Sequence, residues 1–173
     1  MRVYRQDSLT TEPRFEWEED LTGLLEVESF DLVIGNPPAG HLPEEFRGSV
    51  GSYEFASQGR LTLCEVAFLE QALRLTRAGG RVALILPEGL FANVRTRPLR
   101  EYLHRETTVE MVVGLPRGTF PFTPAKMCIL LLYKQPPPPK HCALLAEVSE
   151  EAKLGEELAT IAQVYKERRK THG

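Results

Sequence analysis

The clearest pattern along the chain is a set of short apolar runs, each closed by residues that break regular structure. Residues 30–34, Phe-Asp-Leu-Val-Ile, form the first run, and Gly-Asn-Pro-Pro stops it at residues 35–38. Residues 81–86 form a second run, which Pro87 closes. Runs of this length with sharp ends predict buried strands. Three later runs are also predicted strands: 108–115, 126–133 and 141–146.

Between the first two runs, apolar residues recur at helical spacing from Leu61 to Leu75. Thr62 and Glu65 fit a capping box at the start of this helix, and Gly79-Gly80 is expected to end it after a last turn that includes Arg77. Strand, helix and strand then form a βαβ unit with parallel strands, so the loops that follow the two strands should meet at one edge of the sheet. Further helices are predicted at 97–105 and 156–169.

Length and composition indicate an ordinary globular protein with one main core. The chain has 173 residues, and 42% hydrophobic and 26% charged residues exclude a disordered or collagen-like chain. A four-proline stretch at 135–140 predicts an extended linker between a main domain at 1–134 and a C-terminal strand and helix at 141–173. The three cysteines have no metal-ligand spacing, and no apolar run is long enough to span a membrane. We therefore expect a cytoplasmic protein with reduced thiols, no metal and no membrane partner.

The charge pattern leaves nucleic-acid binding open. A net charge of −3 excludes a globally basic protein but not a local basic patch. Each of the arginines near the helix predicted at 97–105 is interpreted as either a phosphate contact or part of an exposed helix face. These residues are Arg95, Arg97, Arg100 and Arg105.

The loop at residues 36–38 is rich in hydrogen-bond acceptors. Pro37 and Pro38 have no N–H, so the side-chain oxygen of Asn36 and the carbonyl of Pro37 could converge on a donor such as an exocyclic amino group. A tight turn at the end of the strand is the alternative, because Asn-Pro is a common turn starter.

Residues 31–38 resemble the catalytic motif of amino-methyltransferases, which carry Asn/Asp-Pro-Pro-aromatic after a strand. Residues 78–91, 112–116 and 128–134 are similar, in the same order, to modification subunits of type I restriction systems. By these linked motifs the chain is identified as a member of the N6-adenine DNA methyltransferase family. The resemblance implies an α/β fold, a partial Rossmann-like S-adenosylmethionine-dependent methyltransferase sheet with flanking helices.

The resemblance also implies roles for particular residues. In this family the asparagine and the first proline carbonyl hold the amino group of a flipped adenine, and S-adenosylmethionine donates the methyl group directly. Asn36 and Pro37 would hold the amino group, and Pro38 would fix the loop. Asp7 falls where the family has an acidic residue that contacts the cofactor's adenine, although an Asp that only ends a strand is the alternative. DNA is the expected partner.

Two departures from the family pattern are visible. Ala39 stands where the family has an aromatic residue that stacks on the flipped base, and Phe46, Tyr53 and Phe55 in the following loop are candidates to replace it. No glycine-rich cofactor motif precedes residue 31, so we expect the N-terminal strands and the cofactor motif to be missing. The strand that carries Asn36 would then have an unpaired edge.

Two functions are therefore expected from the sequence. The first is a truncated or split form of a site-specific DNA adenine-N6 methyltransferase, which would need an N-terminal methyltransferase portion and a specificity subunit as partners. The alternative is a catalytically inactive remnant that acts as an interaction module or has no activity. The isolated chain is expected to bind S-adenosylmethionine no more tightly than roughly millimolar, which corresponds to about −4 kcal/mol.

Overall fold

The computed structural model describes residues 27–44, 53–56, 62–121 and 123–172. Short 3-10 turns at Val94–Thr96 and Glu151–Lys153 precede the last two helices. The helices and strands are, in chain order, β1 (Phe30–Gly35), α1 (Cys64–Leu75), β2 (Thr76–Pro87), α2 (Gly89–Ala92), α3 (Arg97–Glu106), β3 (Thr108–Gly114), β4 (Met127–Tyr133), β5 (Leu144–Glu147) and α4 (Leu154–His172).

The strands form one mixed sheet in the order β1-β2-β4-β3-β5. β1 pairs with β2 in parallel, β5 pairs with β3 in parallel, and β4 is antiparallel to both β2 and β3. The carboxyl ends of β1, β2, β3 and β5 therefore lie along one edge of the sheet, which we call the rim. The predicted α/β sheet and its parallel βαβ unit are confirmed. The division at residues 135–140 stays a prediction, and β5 belongs to the same sheet as the other strands.

The main core lies between the sheet and helices α1 and α3. Alternate residues of β2 and β4 point to this side, as the period of two in a strand requires. On the opposite side, α4 contributes Leu154, Leu158 and Ile161 to a second cluster with Val113 and Met127. The main cluster includes Val66, Leu69, Leu73, Val82, Leu84, Leu86, Leu99, Leu103, Leu130 and Leu132.

β1 is not the buried strand that its apolar run predicts. Val33 packs against the main core, but Leu32 and Ile34 are 53% and 70% exposed. The reason is position, since among the described strands β1 forms one edge of the sheet, and the cluster that α4 forms on this side of the sheet includes no residue of β1. Its second face consequently presents apolar side chains to solvent.

The boundary between α1 and β2 also differs from the prediction. The helix ends at Leu75, and Thr76 already pairs with Phe30 of β1. Arg77 therefore lies in a strand, where its guanidinium group is 2.7 Å from the carboxylate of Asp31. Pairing with β1 takes up residues that would otherwise extend the helix.

Gly80 is required in β2, because a Cβ at this position would lie 2.6 Å from the Thr76 methyl group.

The predicted capping box at the start of α1 is wrong. Leu63 is the N-cap residue, and it makes no side-chain cap hydrogen bond. The carboxylate of Glu65 instead accepts a hydrogen bond from Gly40, a residue 25 positions earlier in the chain. A capping box is a local arrangement, and here a tertiary contact has replaced it.

The helices of the described ranges are all unsuited to crossing a membrane by their length and apolar content. The longest, α4, has 19 residues and carries acidic side chains in its first turn. Among the same residues, no three His, Cys, Asp or Glu side chains are grouped so that they could hold a metal ion.

The cysteines should differ sharply in reactivity. Burial raises the pKa of Cys128 to about 11, and burial together with the charge of Glu65 raises the pKa of Cys64, whereas Cys142 is exposed. Only the thiolate reacts, so at pH 8 only a very small fraction of Cys128 side chains is reactive, even when they are accessible. We expect iodoacetamide to label Cys142 first, and peptide mass spectrometry over time would measure this. Equal labelling rates in the folded chain, with the urea-unfolded chain as control, would contradict the described burial.

Candidate active site

The loop at residues 36–39 leaves the carboxyl end of β1 at the rim. Gly35 pairs with Leu84 of β2, so the sheet fixes the chain up to the residue before Asn36. Asn36 and Pro38 are exposed, and Pro37 is partly buried. Within the described part of the chain, neither the side chain of Asn36 nor the carbonyl of Pro37 has a hydrogen-bond partner. Both acceptors are therefore free to bind a donor from another molecule.

The far end of this loop is attached to the first turn of α1. Gly40 donates its N–H to Oε2 of Glu65 at 2.9 Å, and its carbonyl accepts the N–H of Cys64 at 2.8 Å. His41 and Leu63 form an isolated antiparallel bridge just beyond. Because Gly35 and Gly40 are both fixed, the four residues between them are held at two ends.

The aromatic side chains expected to replace the ring missing at Ala39 lie elsewhere. Tyr53 is buried, and its hydroxyl group donates to Gln71 at 2.6 Å. Phe55 is buried in the main core, with its ring 5.2 Å from that of Tyr102. Neither ring is exposed to stack on a base. Phe46 and the predicted cofactor residue Asp7 lie outside the described residues.

The neighbouring part of the rim carries ion pairs and an excess of carboxylates. Glu88 donates its backbone N–H to the carbonyl of Lys126 at 2.8 Å, and the Lys126 ammonium group bridges the carboxylates of Glu88 at 3.1 Å and Glu147 at 2.7 Å. These two carboxylates raise the pKa of Lys126. A cleft of about 660 Å³ opens beside them, with four carboxylates (Glu88, Glu147, Glu150, Glu151) against two cations (Arg117, Lys126) among its lining residues. Its charge is unfavourable for a polyanion.

The arginine cluster after β2 is mostly engaged with its own surroundings. Arg97 pairs with Glu101 at 2.8 Å, and Arg105 pairs with Glu106 at 2.6 Å. Arg100 donates to the Asn93 carbonyl at 2.6 Å. Arg95 is exposed beside Val94, which is 82% exposed, and the Arg95 side chain has no ion pair within the described ranges. Arg95 is therefore the cation of this group that is best placed to meet another molecule.

The loop that carries Asn36 is separate from two clefts that other described residues form. Residues 36–39 line neither the 660 Å³ cleft nor a second one of about 420 Å³ between β5 and α4. What the loop offers is a pair of acceptors on an open surface. Such a pair suits a flat donor group presented from outside.

Comparison with known proteins settles the class to which this fold belongs. The family model for N-6 DNA Methylase matches residues 1–172. The chain belongs to the N-6 DNA methylase family. Its fold is that of S-adenosylmethionine-dependent methyltransferases, as the motifs predict. The loop that carries Asn36 follows the first described strand of this methyltransferase sheet.

Individual relatives agree with this assignment. The chain is 27% identical over 138 residues to the methylase subunit of the type I restriction enzyme MpnII of Mycoplasma pneumoniae, covering 76% of this chain and 25% of that protein. A Listeria monocytogenes protein named as a class I S-adenosylmethionine-dependent methyltransferase has a TM-score of 0.62 at 25% identity, covering 78% of this chain and 42% of the other. A chain of a type I restriction-modification system has a TM-score of 0.64 at 22% identity, with coverage of 98% and 35%. This N-6 DNA methylase chain thus spans a quarter to about two fifths of these proteins' lengths.

Sequence reasoning missed the polar residues of α1 that bind segments preceding the helix in the chain. Glu65, Glu70 and Gln71 are buried among the apolar residues of the helix. Glu70 accepts the backbone N–H groups of Glu54 and Phe55. The signal that could have revealed them is the presence of polar side chains within the apolar stripe of α1, because buried polar groups need hydrogen-bond partners.

Proposed function

We propose that this chain carries the amino-group-binding loop of a DNA adenine-N6 methyltransferase and works as part of a longer or split enzyme. The observation that carries the proposal is a pair of acceptors, the Asn36 side chain and the Pro37 carbonyl, which have no hydrogen-bond partner among the described residues and lie at the rim of a methyltransferase sheet. Membership in the N-6 DNA methylase family supports adenine as the base. The acceptor pair suits an amino group, which has two hydrogens to donate.

Asn36 and Pro37 would act on the nucleophile. The lone pair of an adenine amino group is delocalised into the ring, which makes the nitrogen a weak nucleophile. Two acceptors that bind its hydrogens stabilise the tetrahedral form that develops in the transition state. Pro38 restricts the backbone of Pro37 and so keeps the direction of the Pro37 carbonyl constant. S-adenosylmethionine supplies the methyl group when it is bound.

We propose that residues outside the described part complete the cofactor site, and that a partner covers the exposed side of β1. Asp7 is proposed as a contact to the cofactor's adenine, and the remaining contacts would come from an N-terminal methyltransferase portion. The exposed Leu32 and Ile34 support this, and so does the edge of β1 that no other described strand covers, because proteins seldom leave long apolar edges uncovered. A specificity subunit is proposed as a further partner, as in type I restriction-modification systems. An enzyme of this kind, which acts on cellular DNA, would work in the cytoplasm.

The alternative function is that of an inactive methyltransferase remnant, with a role in binding other subunits or none. Ala39 is the observation that favours it, since the buried rings of Tyr53 and Phe55 do not replace the stacking residue. Loss of one stacked ring should weaken base binding by about 1–3 kcal/mol. Such a loss lowers activity and does not by itself exclude it.

The test is reconstitution. The chain would be produced together with the N-terminal half of a related methylase subunit and a matching specificity subunit, and N6-methyladenine in the recovered DNA would be quantified by nucleoside mass spectrometry. We expect methylated adenine only when both portions are present. The N-terminal half alone and this chain alone are the controls. If the intact relative methylates DNA and the reconstituted enzyme does not, the remnant interpretation is the correct one.

A further inference from the structure

A buried carboxylate of α1 holds the far end of the loop that carries Asn36. Glu65 is 7% exposed, and its Oε2 accepts the N–H of Gly40 at 2.9 Å. The first turn of α1 makes two further contacts with the same segment. The N–H of Cys64 donates to the Gly40 carbonyl at 2.8 Å, and the Cys64 thiol donates to the His41 carbonyl at 3.6 Å.

The anchored residue has a backbone conformation that suits glycine. Gly40 has φ of +114°, and a Cβ at this position would meet nothing within 4 Å. Glycine is therefore required for conformation and not for space, because residues with a side chain rarely adopt such a φ. The chain thus uses a special backbone geometry to present the Gly40 N–H to Glu65.

The position of Asn36 depends on both ends of its loop. On one side, Gly35 pairs with β2, and on the other side Gly40 is bound to Glu65. Two of the four residues between these points are prolines, whose φ is fixed near −65°. Few backbone torsions between Gly35 and Gly40 are free to absorb a movement of Gly40. Such a movement would therefore also displace the Asn36 side chain.

The burial of the Glu65 carboxylate is better explained by its bond to Gly40 than by packing in an apolar core. A buried carboxylate is unfavourable unless it is hydrogen-bonded. Its bond to the Gly40 N–H is charge-assisted and so stronger than a bond between neutral groups. Its place in the first turn of α1 also lets the positive end of the helix dipole stabilise the negative charge.

We propose that Glu65 is a positioning residue for the amino-group-binding loop, because its carboxylate fixes Gly40 and thereby the orientation of Asn36 and Pro37. The catalytic consequence rests on the proposed function, whereas the anchoring of the loop does not. Glu70 provides the matched control. It is a second buried glutamate of α1, and it binds the backbone of residues 54 and 55 further along the chain.

The first measurement is amide hydrogen exchange in the full chain, followed by NMR. Glu65→Ala should raise the exchange rate of the Gly40 amide by at least about tenfold, since the amide loses its acceptor and becomes open to water. Glu70→Ala should leave the Gly40 amide unchanged and expose the Phe55 amide. Glu65→Gln should keep most of the protection, because its side-chain oxygen can accept the same N–H. Unchanged Gly40 exchange in Glu65→Ala would overturn the proposal.

The second measurement is steady-state methylation by the reconstituted enzyme, below the melting temperature of every variant. Glu65→Ala should lower kcat by about 10- to 100-fold with little change in the KM for DNA, as small misplacements of a reacting group typically do. Glu65→Gln should restore most of kcat, and Glu70→Ala should retain it. Equal losses of kcat in Glu65→Ala and Glu70→Ala would reduce Glu65 to a structural role and overturn the proposal. An inactive wild-type enzyme would refute the proposed function, and the Gly40 exchange rate would still decide the anchoring.

Discussion

Replacing Asn36 with alanine is expected to lower kcat of the reconstituted methyltransferase by about 10²–10³-fold, the usual effect of removing one hydrogen-bonding group that stabilises a transition state. The side chain of Asn36 is exposed and makes no hydrogen bond within the described residues. The variant should therefore fold normally, with a free energy of unfolding within about 0.5 kcal/mol of the wild-type value. Quantified N6-methyladenine and a denaturant titration measure the two effects separately.

Asn36→Asp is the conservative control for this experiment. The related catalytic motif carries either Asn or Asp before its two prolines, and a carboxylate oxygen can accept the same amino hydrogen. We expect this variant to keep more activity than Asn36→Ala. Unchanged methylation in Asn36→Ala would show that another group binds the amino nitrogen, and it would remove the role assigned to the loop.

The sequence was sufficient to predict the strands because each apolar run is short and sharply ended. The runs that begin near residues 30, 81, 108 and 127 all became strands of one sheet. Parallel pairing of β1 and β2 then placed Asn36 and Glu88 at the same rim, as the βαβ unit requires. These features follow from local patterns together with one rule of connection.

The errors have the opposite origin, since each depends on contacts between distant residues. Leu32 and Ile34 are as apolar as core residues, but whether a strand is central or at an edge is decided by its neighbours. Glu65 fits a local capping box, and only the folded chain brings Gly40 within its reach. Tyr53 and Phe55 are on a segment without periodicity, and their burial depends on contacts with α1 and α3.

The second large expected effect is a loss of stability, which follows from disrupting a polar network that the sequence also did not predict. Arg81 of β2 makes a two-pronged ion pair with Glu110 of β3, with both N···O distances at 2.9 Å. Tyr165 of α4 donates its hydroxyl group to the same carboxylate at 2.7 Å. The Arg81 guanidinium also lies over the ring of Tyr133, 4.6 Å from its centre. The network thus ties α4 to three adjacent strands.

Glu110→Ala should lower the free energy of unfolding by about 2–3 kcal/mol, slightly less than the loss typical of fully buried pairs. The two side chains are 25% and 12% exposed, so the charge left on Arg81 is only partly hydrated, and Tyr165 loses its acceptor. Glu101→Ala is the matched control, because its pair with Arg97 is 72% and 60% exposed and should contribute less than about 0.5 kcal/mol. Urea titrations with a common m-value measure both losses.

A double variant separates the attraction within the pair from the penalty of leaving one partner alone. Arg81→Met combined with Glu110→Leu removes both charges and fills the space with apolar side chains. If most of the loss in Glu110→Ala comes from an unpaired, partly buried guanidinium, the double variant should be more stable than the single one by at least about 1 kcal/mol. Equal stability of the two variants would instead mean that Tyr165 and its bond to Glu110 dominate. Tyr165→Phe, which removes only that bond, would then show the same loss as Glu110→Ala.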